Sequence, residues 1–263
     1  AGAFLHVWNH GLFKPLLFFN AGAVIHATHT REIHRLGGLA RSMPRAAALF
    51  TIGAGAICAL PGLNGFVSEW LVYSGLFRTL GTPDGAAWPL AALCVPALAL
   101  VGALAAACFV SLLGSIFLGA PRSESGAHAR DPGPWMQAPM ALLALGCAAA
   151  GLHPTPVLNL IGRAIACWGA WPRSGPPALH DLAPVGWILP FAGGIALLVL
   201  IFALVARGLR RREPARESVT WDCGYAVPTA RMQYTPSSFT TWISSLFRWS
   251  LWPRVHREQV SGL

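Results

Sequence analysis

Residues 5–19 read LHVWNHGLFKPLLFF, and the fold turns on how this stretch is read. It is apolar enough to enter a lipid bilayer, yet it carries His6, His10 and Lys14. Four residues advance an α-helix by about 6 Å and about 40° beyond one turn. On a helix the two imidazoles and the ammonium therefore lie along one stripe, each near the next.

The rest of the chain is written in the same apolar register. Of 263 residues, 54% are hydrophobic and 11% are charged, with a mean hydropathy of +0.52. Soluble domains carry about a quarter charged residues. Apolar runs of membrane-spanning length recur, which makes this an all-α, polytopic transmembrane helix bundle. Backbone polar groups must be satisfied internally in lipid, and the runs lack the alternating polarity of a β-barrel. Six spans are expected, at roughly 4–27, 44–60, 62–80, 89–118, 136–152 and 184–207. Residues 153–170 read as a short re-entrant or interfacial helix. The chain opens on Ala1 within a span, with no signal peptide before it, and is read as the C-terminal part of a longer membrane protein.

Residues 1–212 are expected to form the transmembrane domain and residues 213–263 a polar tail. In the tail Phe239, Trp242, Ile243, Leu246 and Phe247 recur at i, i+3, i+4, i+7 and i+8. Such a helix lies in the membrane interface, docks on a partner, or packs on its own protein. The segment WDCGYAVPTARMQY, residues 221–234, reads as an ordered loop with Cys223 in a structural role. The six cysteines form no CxxC pair and no disulfide is assigned.

The net charge of +9 comes from Arg-rich loops such as TREIHRLGGLARSMPR (30–45) and ARGLRRREPAR (206–216). They flank spans and set orientation, and they form no nucleic-acid surface. Six crossings put residue 1 and the second cluster on one side and the 28–45 loop on the other. The positive-inside rule cannot satisfy both clusters in that arrangement, and the denser C-terminal one is the better guide to the cytoplasmic side.

Away from span ends only Lys14 and Glu69 are ionised groups within the apolar runs, and Lys14 is the sole lysine. Burying either as an ion costs several kcal/mol unless a partner or water is present. Three proton-exchanging groups in a row are what a relay needs, because neutral His accepts on one nitrogen and donates from the other. Pro15 supplies no N–H to Gly11, whose carbonyl is freed to bind water. The opposing reading is a satisfied interfacial His6 and His10 with a Lys14 that snorkels to the headgroups. Glu69 follows ALPGLNG (59–65), which breaks the helix. The break is either a discontinuous helix inside the membrane with Glu69 on a hydrated cavity, or a tight interfacial turn with Glu69 in the next first turn. His26 and His29, with His34, fit a channel mouth or loop better than a metal site. There is no phosphate loop, nucleophile elbow or dinucleotide fingerprint.

The phrase HxxxHGLFKPLLFFNAGAVIHATHTREIHRLGGLARSMP followed by LPGLNGFVSEW resembles the antiporter-like, proton-conducting subunits of respiratory complex I. That family includes Mrp-type cation/proton antiporter subunits and membrane-bound group 4 hydrogenases. FLGAPRS and WDCGYAVPTARMQYTPSSF are most similar to its hydrogenase-4 and formate hydrogenlyase branch. The resemblance implies the second half of an inverted-repeat fold, with one discontinuous helix embedded in the membrane. It implies that Lys14 is the mid-membrane lysine, that His6 and His10 relay to it, and that Glu69 exchanges protons on the exit side. Ser111 departs from it, since relatives often carry lysine there. The implied function is proton translocation in a hydrogenase-4-like or complex-I-like oxidoreductase of a bacterial-type inner membrane. The chain itself would carry no cofactor, the nickel–iron and iron–sulfur centres residing on peripheral redox subunits beside other membrane subunits. The alternatives are a Mrp-like sodium/proton antiporter subunit and a non-conducting membrane anchor of a hydrogenase.

Overall fold

The computed structural model describes residues 1–82, 87–167, 185–212, 233 and 235–251. Among the described residues helices are the only regular structure. The expected ordered loop at 221–234, Cys223 included, lies outside them apart from Gln233. Gln233 exchanges hydrogen bonds with the Ala120 backbone, at 3.1 Å to its N–H and 3.2 Å to its carbonyl.

Helix α1 (Gly2–Thr28) is the centre of the bundle. Its residues Leu5, Phe13, Leu16, Leu17, Ala23 and Val24 are buried. It runs unbroken through Pro15, and it ends where His29 adopts the left-handed conformation at φ 54°. A short α2 (Leu39–Ser42) leads to α3 (Pro44–Ile57) and α4 (Asn64–Leu80).

The contacts of α3 and α4 on α1 read in strict order. Asn20 Nδ2 donates to Ala46 O over 2.7 Å. Gly53 sits against Leu16 and Leu17, and Ala56 clusters with Phe13. Asn9 meets Asn64, His6 meets Ser68, and Gly2 meets the Leu71–Val72 backbone. As the chain climbs from 46 to 72, its partner on α1 falls from 20 to 2. Helices α3 and α4 are thus two halves of one antiparallel crossing, and the segments expected as separate spans at 44–60 and 62–80 are one. The reason is length. At 1.5 Å per residue, 14 and 17 residues give about 21 and 26 Å, each short of the ~30 Å hydrocarbon core.

The interruption is built from the backbone. Ala59 and Gly62 take positive φ, 52° and 90°. Leu60 N–H returns to Gly55 O over 2.9 Å, and Pro61 has no N–H to continue the helix. Gly65 then lets the Ala56 carbonyl lie against its Cα, where a Cβ would overlap it. Gly151 allows the same closeness to the Gly62–Leu63 backbone from the far side.

That glycine belongs to α7 (Pro134–Leu152), reached through α5 (Trp88–Leu112), a π-helical turn at Leu113–Phe117 and a short α6 (Glu124–His128). Along α7, Met140 packs by Leu16 and Ala23, Cys147 by Phe13, and Gly151 by the break, so it too runs antiparallel to α1. Helix α8 (Thr155–Ala166) extends this path, burying Leu158 and Ile161 against Leu5, Val67 and Leu71. Helix α9 (Ile188–Arg212) starts beside that cluster at Ile188 and passes Gly62 at Ala192, which sets it parallel to α1. Trp88–Phe117, Pro134–Leu152 and Ile188–Leu209 are each long and apolar enough to cross a membrane. Helices α10 (Pro236–Leu246) and α11 (Arg248–Leu251) follow, with Trp242 and Leu246 exposed.

Counting the broken pair as one crossing reverses the expected relation between the basic loops. The loops 29–43 and 118–133 interlock at the α1 C-terminal end. Gly38 N–H donates to Leu118 O over 2.9 Å, and Arg122 Nη1 to Leu36 O over 2.7 Å. Burial holds the Arg122 guanidinium below its ordinary pKa. Helix α9 carries the RGLRRR segment toward this same end, not toward residue 1. The two Arg-rich clusters therefore agree on orientation, and the conflict was a product of one crossing too many.

Candidate functional site

His6 faces α4. Its Nδ1 lies 3.1 Å from Ser68 Oγ, and Ser68 Oγ lies 2.9 Å from Gly65 O. The hydroxyl has one proton to give. Either it donates to the Gly65 carbonyl and receives His6 Nδ1–H, or it turns and donates to a bare Nδ1. The bond thus ties the tautomer of an α1 imidazole to a residue on the second half of the broken crossing. Ser68 carried no recognisable sequence signal, because a serine one turn into a helix is common.

One turn along, His10 is exposed, its ring centroid 6.4 Å from that of His6 and 5.4 Å from Phe13. No direct hydrogen bond joins the two imidazoles. Lys14, half-buried at mid-helix, opens on a cavity of about 340 Å³ between α1, α3 and α5. Its wall is mostly apolar, with Phe50, Phe109 and Phe117 prominent, but Asn20, Thr30 and Arg31 also line it. Lys14 makes no hydrogen bond or ion pair among the described residues. The stripe therefore turns as it climbs, from α4 at His6 to the α3–α5 side at Lys14, as about 40° per four residues requires.

Glu69 is half-buried on α4, one turn beyond Gly65 at the start of the second half of the crossing. It is not joined to Lys14, His6 or His10 by any hydrogen bond or ion pair among the described residues.

His26 and His29 lie apart from the Lys14 cavity. His26 is twelve residues from Lys14, about 120° around the helix. It lines a separate groove between α1 and α7. His29 is an exposed helix cap. Thr30 and Arg31, which follow it, reach the Lys14 cavity instead.

Three buried amides flank these groups. Asn9, Asn20 and Asn64 are fully buried. Each turns its Nδ2 to a main-chain carbonyl, at Asn64, Ala46 and Asn9 respectively. A carbonyl can be met only by the amide nitrogen, so each Oδ1 points away, and all three lack a donor among the described residues. A buried acceptor left unpaired costs about 1–3 kcal/mol. Water supplies that donor where room exists, and Asn20 stands on the Lys14 cavity.

Residues 1–81 match the family described as NADH:quinone oxidoreductase/Mrp antiporter, TM. Hydrogenase-4 component B of Escherichia coli (strain K12) is 35% identical over 232 residues, 85% of this chain and 34% of that protein. Formate hydrogenlyase subunit 3 of the same organism is 33% identical over 225 residues, 85% of this chain and 36% of that protein. The chain thus spans about a third of the length of these relatives. A chain of the membrane-bound sulfane sulfur reductase, an archaeal respiratory membrane complex, superposes with a TM-score of 0.66 over 96% of this chain and 40% of its own, at 18% identity, which speaks to the fold. Over residues 1–81 the chain matches the transmembrane family of the complex I and Mrp antiporter subunits, and over most of its length it is similar to antiporter-like membrane subunits of hydrogenases.

Proposed function

We propose that this chain moves protons across the membrane as a subunit of a hydrogenase-4-like or complex-I-like oxidoreductase. The observation that carries this reading is the position of Lys14. It sits at mid-helix with a cavity toward the basic end, lined by Asn20, Thr30 and Arg31, and with the histidine stripe toward the other end. A proton arriving through the cavity loads Lys14. It passes by water to His10 and His6, since one water spans gaps that no direct bond closes. Ser68 hands it to α4, where Glu69 lies. Redox chemistry lies on partner subunits bearing nickel–iron and iron–sulfur centres. The basic end is cytoplasmic by the positive-inside rule, in a multi-pass bacterial-type inner membrane.

The test uses the full-length protein in its membrane complex, in inverted vesicles, with redox turnover and proton uptake measured separately. Lys14→Ala and Glu69→Gln are expected to cut proton uptake at least tenfold per electron pair transferred. Uptake unchanged in both variants would leave a membrane anchor. Uptake that requires sodium and fails in potassium would make it a sodium/proton antiporter.

A further inference from the structure

We propose that the basic end carries a binding site for an anionic glycerophospholipid, built from a cationic headgroup cleft and an adjoining acyl-chain groove. It is independent of the proton route.

The headgroup cleft is open, about 690 Å³, and lies where the 29–43 and 118–133 loops meet. Arg41 and Arg45 enter it from one loop, and His128 and Arg130 from the other. The one acid there is Asp131. Its two oxygens accept the Arg45 and Ala46 N–H groups at 3.0 Å each, so its charge is held at the α3 N-terminus. Arg45 Nη1 reaches Gln137 Oε1 at 3.3 Å. The Arg41 and Arg130 guanidiniums are exposed and make no hydrogen bond or ion pair among the described residues. Three arginines against one engaged carboxylate leave a cleft that favours a phosphate, and a guanidinium fork matches phosphate oxygens.

What makes the ligand a lipid is the second cavity. It opens on the bundle exterior at the same end, is about 450 Å³, and is lined by Phe18, Phe19, Gly22 and His26 of α1 and by Met136 and Pro139 of α7. Phe18 and Phe19 are exposed on α1 beside α7, which is long and apolar enough to cross a membrane. The two cavities flank consecutive residues, Met136 on the groove and Gln137 bonded to the cleft arginine. A free anion would use the cleft alone, and a water-soluble partner would not reach a groove on the hydrocarbon face. Basic pockets at the cytoplasmic ends of transmembrane helices suit anionic headgroups.

The experiment uses the full-length protein, purified and stripped of lipid by detergent exchange. Phosphatidylglycerol, phosphatidylcholine or inorganic phosphate is added back, and retention is read by native mass spectrometry and thermal shift. Phosphatidylglycerol alone is expected to be retained and to raise the melting temperature. Arg41→Ala with Arg130→Ala should weaken its retention about thirtyfold, the combined worth of two interfacial arginines. Lys at both positions should restore most of it. Gly22→Leu, whose new side chain meets no protein atom within 4 Å at Cβ, should weaken retention by filling the groove. An unliganded melting temperature equal to that of the parent shows that each variant is folded. Equal retention of the two lipids, retention unchanged in the double variant, or phosphate stabilising as well as the lipid would overturn the proposal. The last result would assign the cleft to a free anion.

Discussion

Asn9 and Asn64 hold each other by the main chain across the helix break: Asn9 Nδ2 donates to Asn64 O over 2.6 Å, and Asn64 Nδ2 donates to Asn9 O over 3.3 Å. Fifty-five residues separate them. Asn64 is the first residue of α4 and Asn9 lies one turn from His6, so the pair sets where the second half of the crossing begins relative to the histidine stripe.

This clasp should be measurable as a coupling energy. A double-mutant cycle of Asn9→Ala and Asn64→Ala, unfolded in bicelles, is expected to give about 0.6–1.7 kcal/mol, the range found for hydrogen bonds between transmembrane helices. A coupling near zero would mean the two amides act independently.

Gly65 and Gly151 should tolerate nothing larger. In both, an added Cβ overlaps backbone rather than a movable side chain, at Ala56 O and at the Gly62–Leu63 peptide. Gly65→Ala and Gly151→Ala are each expected to lose about 2–4 kcal/mol of stability, or to fail to insert stably. Gly102→Ala in α5, where a Cβ meets nothing within 4 Å, is the control and should change stability by less than about 0.5 kcal/mol. The comparison is made by denaturation of the three variants side by side.

Ser68 should matter through its hydroxyl. Ser68→Ala removes the partner of His6 Nδ1 and should slow proton uptake about fivefold, the worth of one hydrogen bond of about 1 kcal/mol, with protein yield unchanged. It should also shift the His6 signal in an NMR titration of ring-labelled protein. If the titration of His6 is identical in the variant, the Ser68 contact has no role in its protonation.

Asp131 caps α3 from 86 residues away, accepting Arg45 N–H and Ala46 N–H. Asp131→Ala should cost about 1 kcal/mol, with Asp131→Asn recovering part of it through the remaining carbonyl oxygen. Amide exchange at Arg45 and Ala46 would speed up in the alanine variant. Protection equal to the parent would show that the cap is dispensable.

Residue types alone made the break at Pro61 and Gly62 visible, but not its meaning. Pro61 forbids a continuing hydrogen bond and Gly62 admits a positive φ in either an interfacial hairpin or an embedded interruption. The choice was settled by which part of α1 each half touches. The same applies to His26, whose angular position on α1 turns it to the α7 groove and away from the Lys14 cavity. Asn9, Asn20 and Asn64 look ordinary in sequence. Only their complete burial, with Nδ2 on a main-chain carbonyl and Oδ1 without a donor among the described residues, marks them.

By itself the sequence determined that the chain is a bundle of membrane-crossing helices, that one helix is interrupted near Pro61, and that His6, His10 and Lys14 share a stripe. Those properties follow from hydropathy, from the missing proline N–H and from 3.6 residues per turn, all of which act over a few neighbouring residues. The tertiary structure decided that α3 and α4 make one crossing, that His6 meets Ser68 while Lys14 meets a cavity, and that both arginine clusters gather at one end. These depend on contacts between residues tens of positions apart, whose partners are chosen by packing around α1 and leave no local trace in the chain.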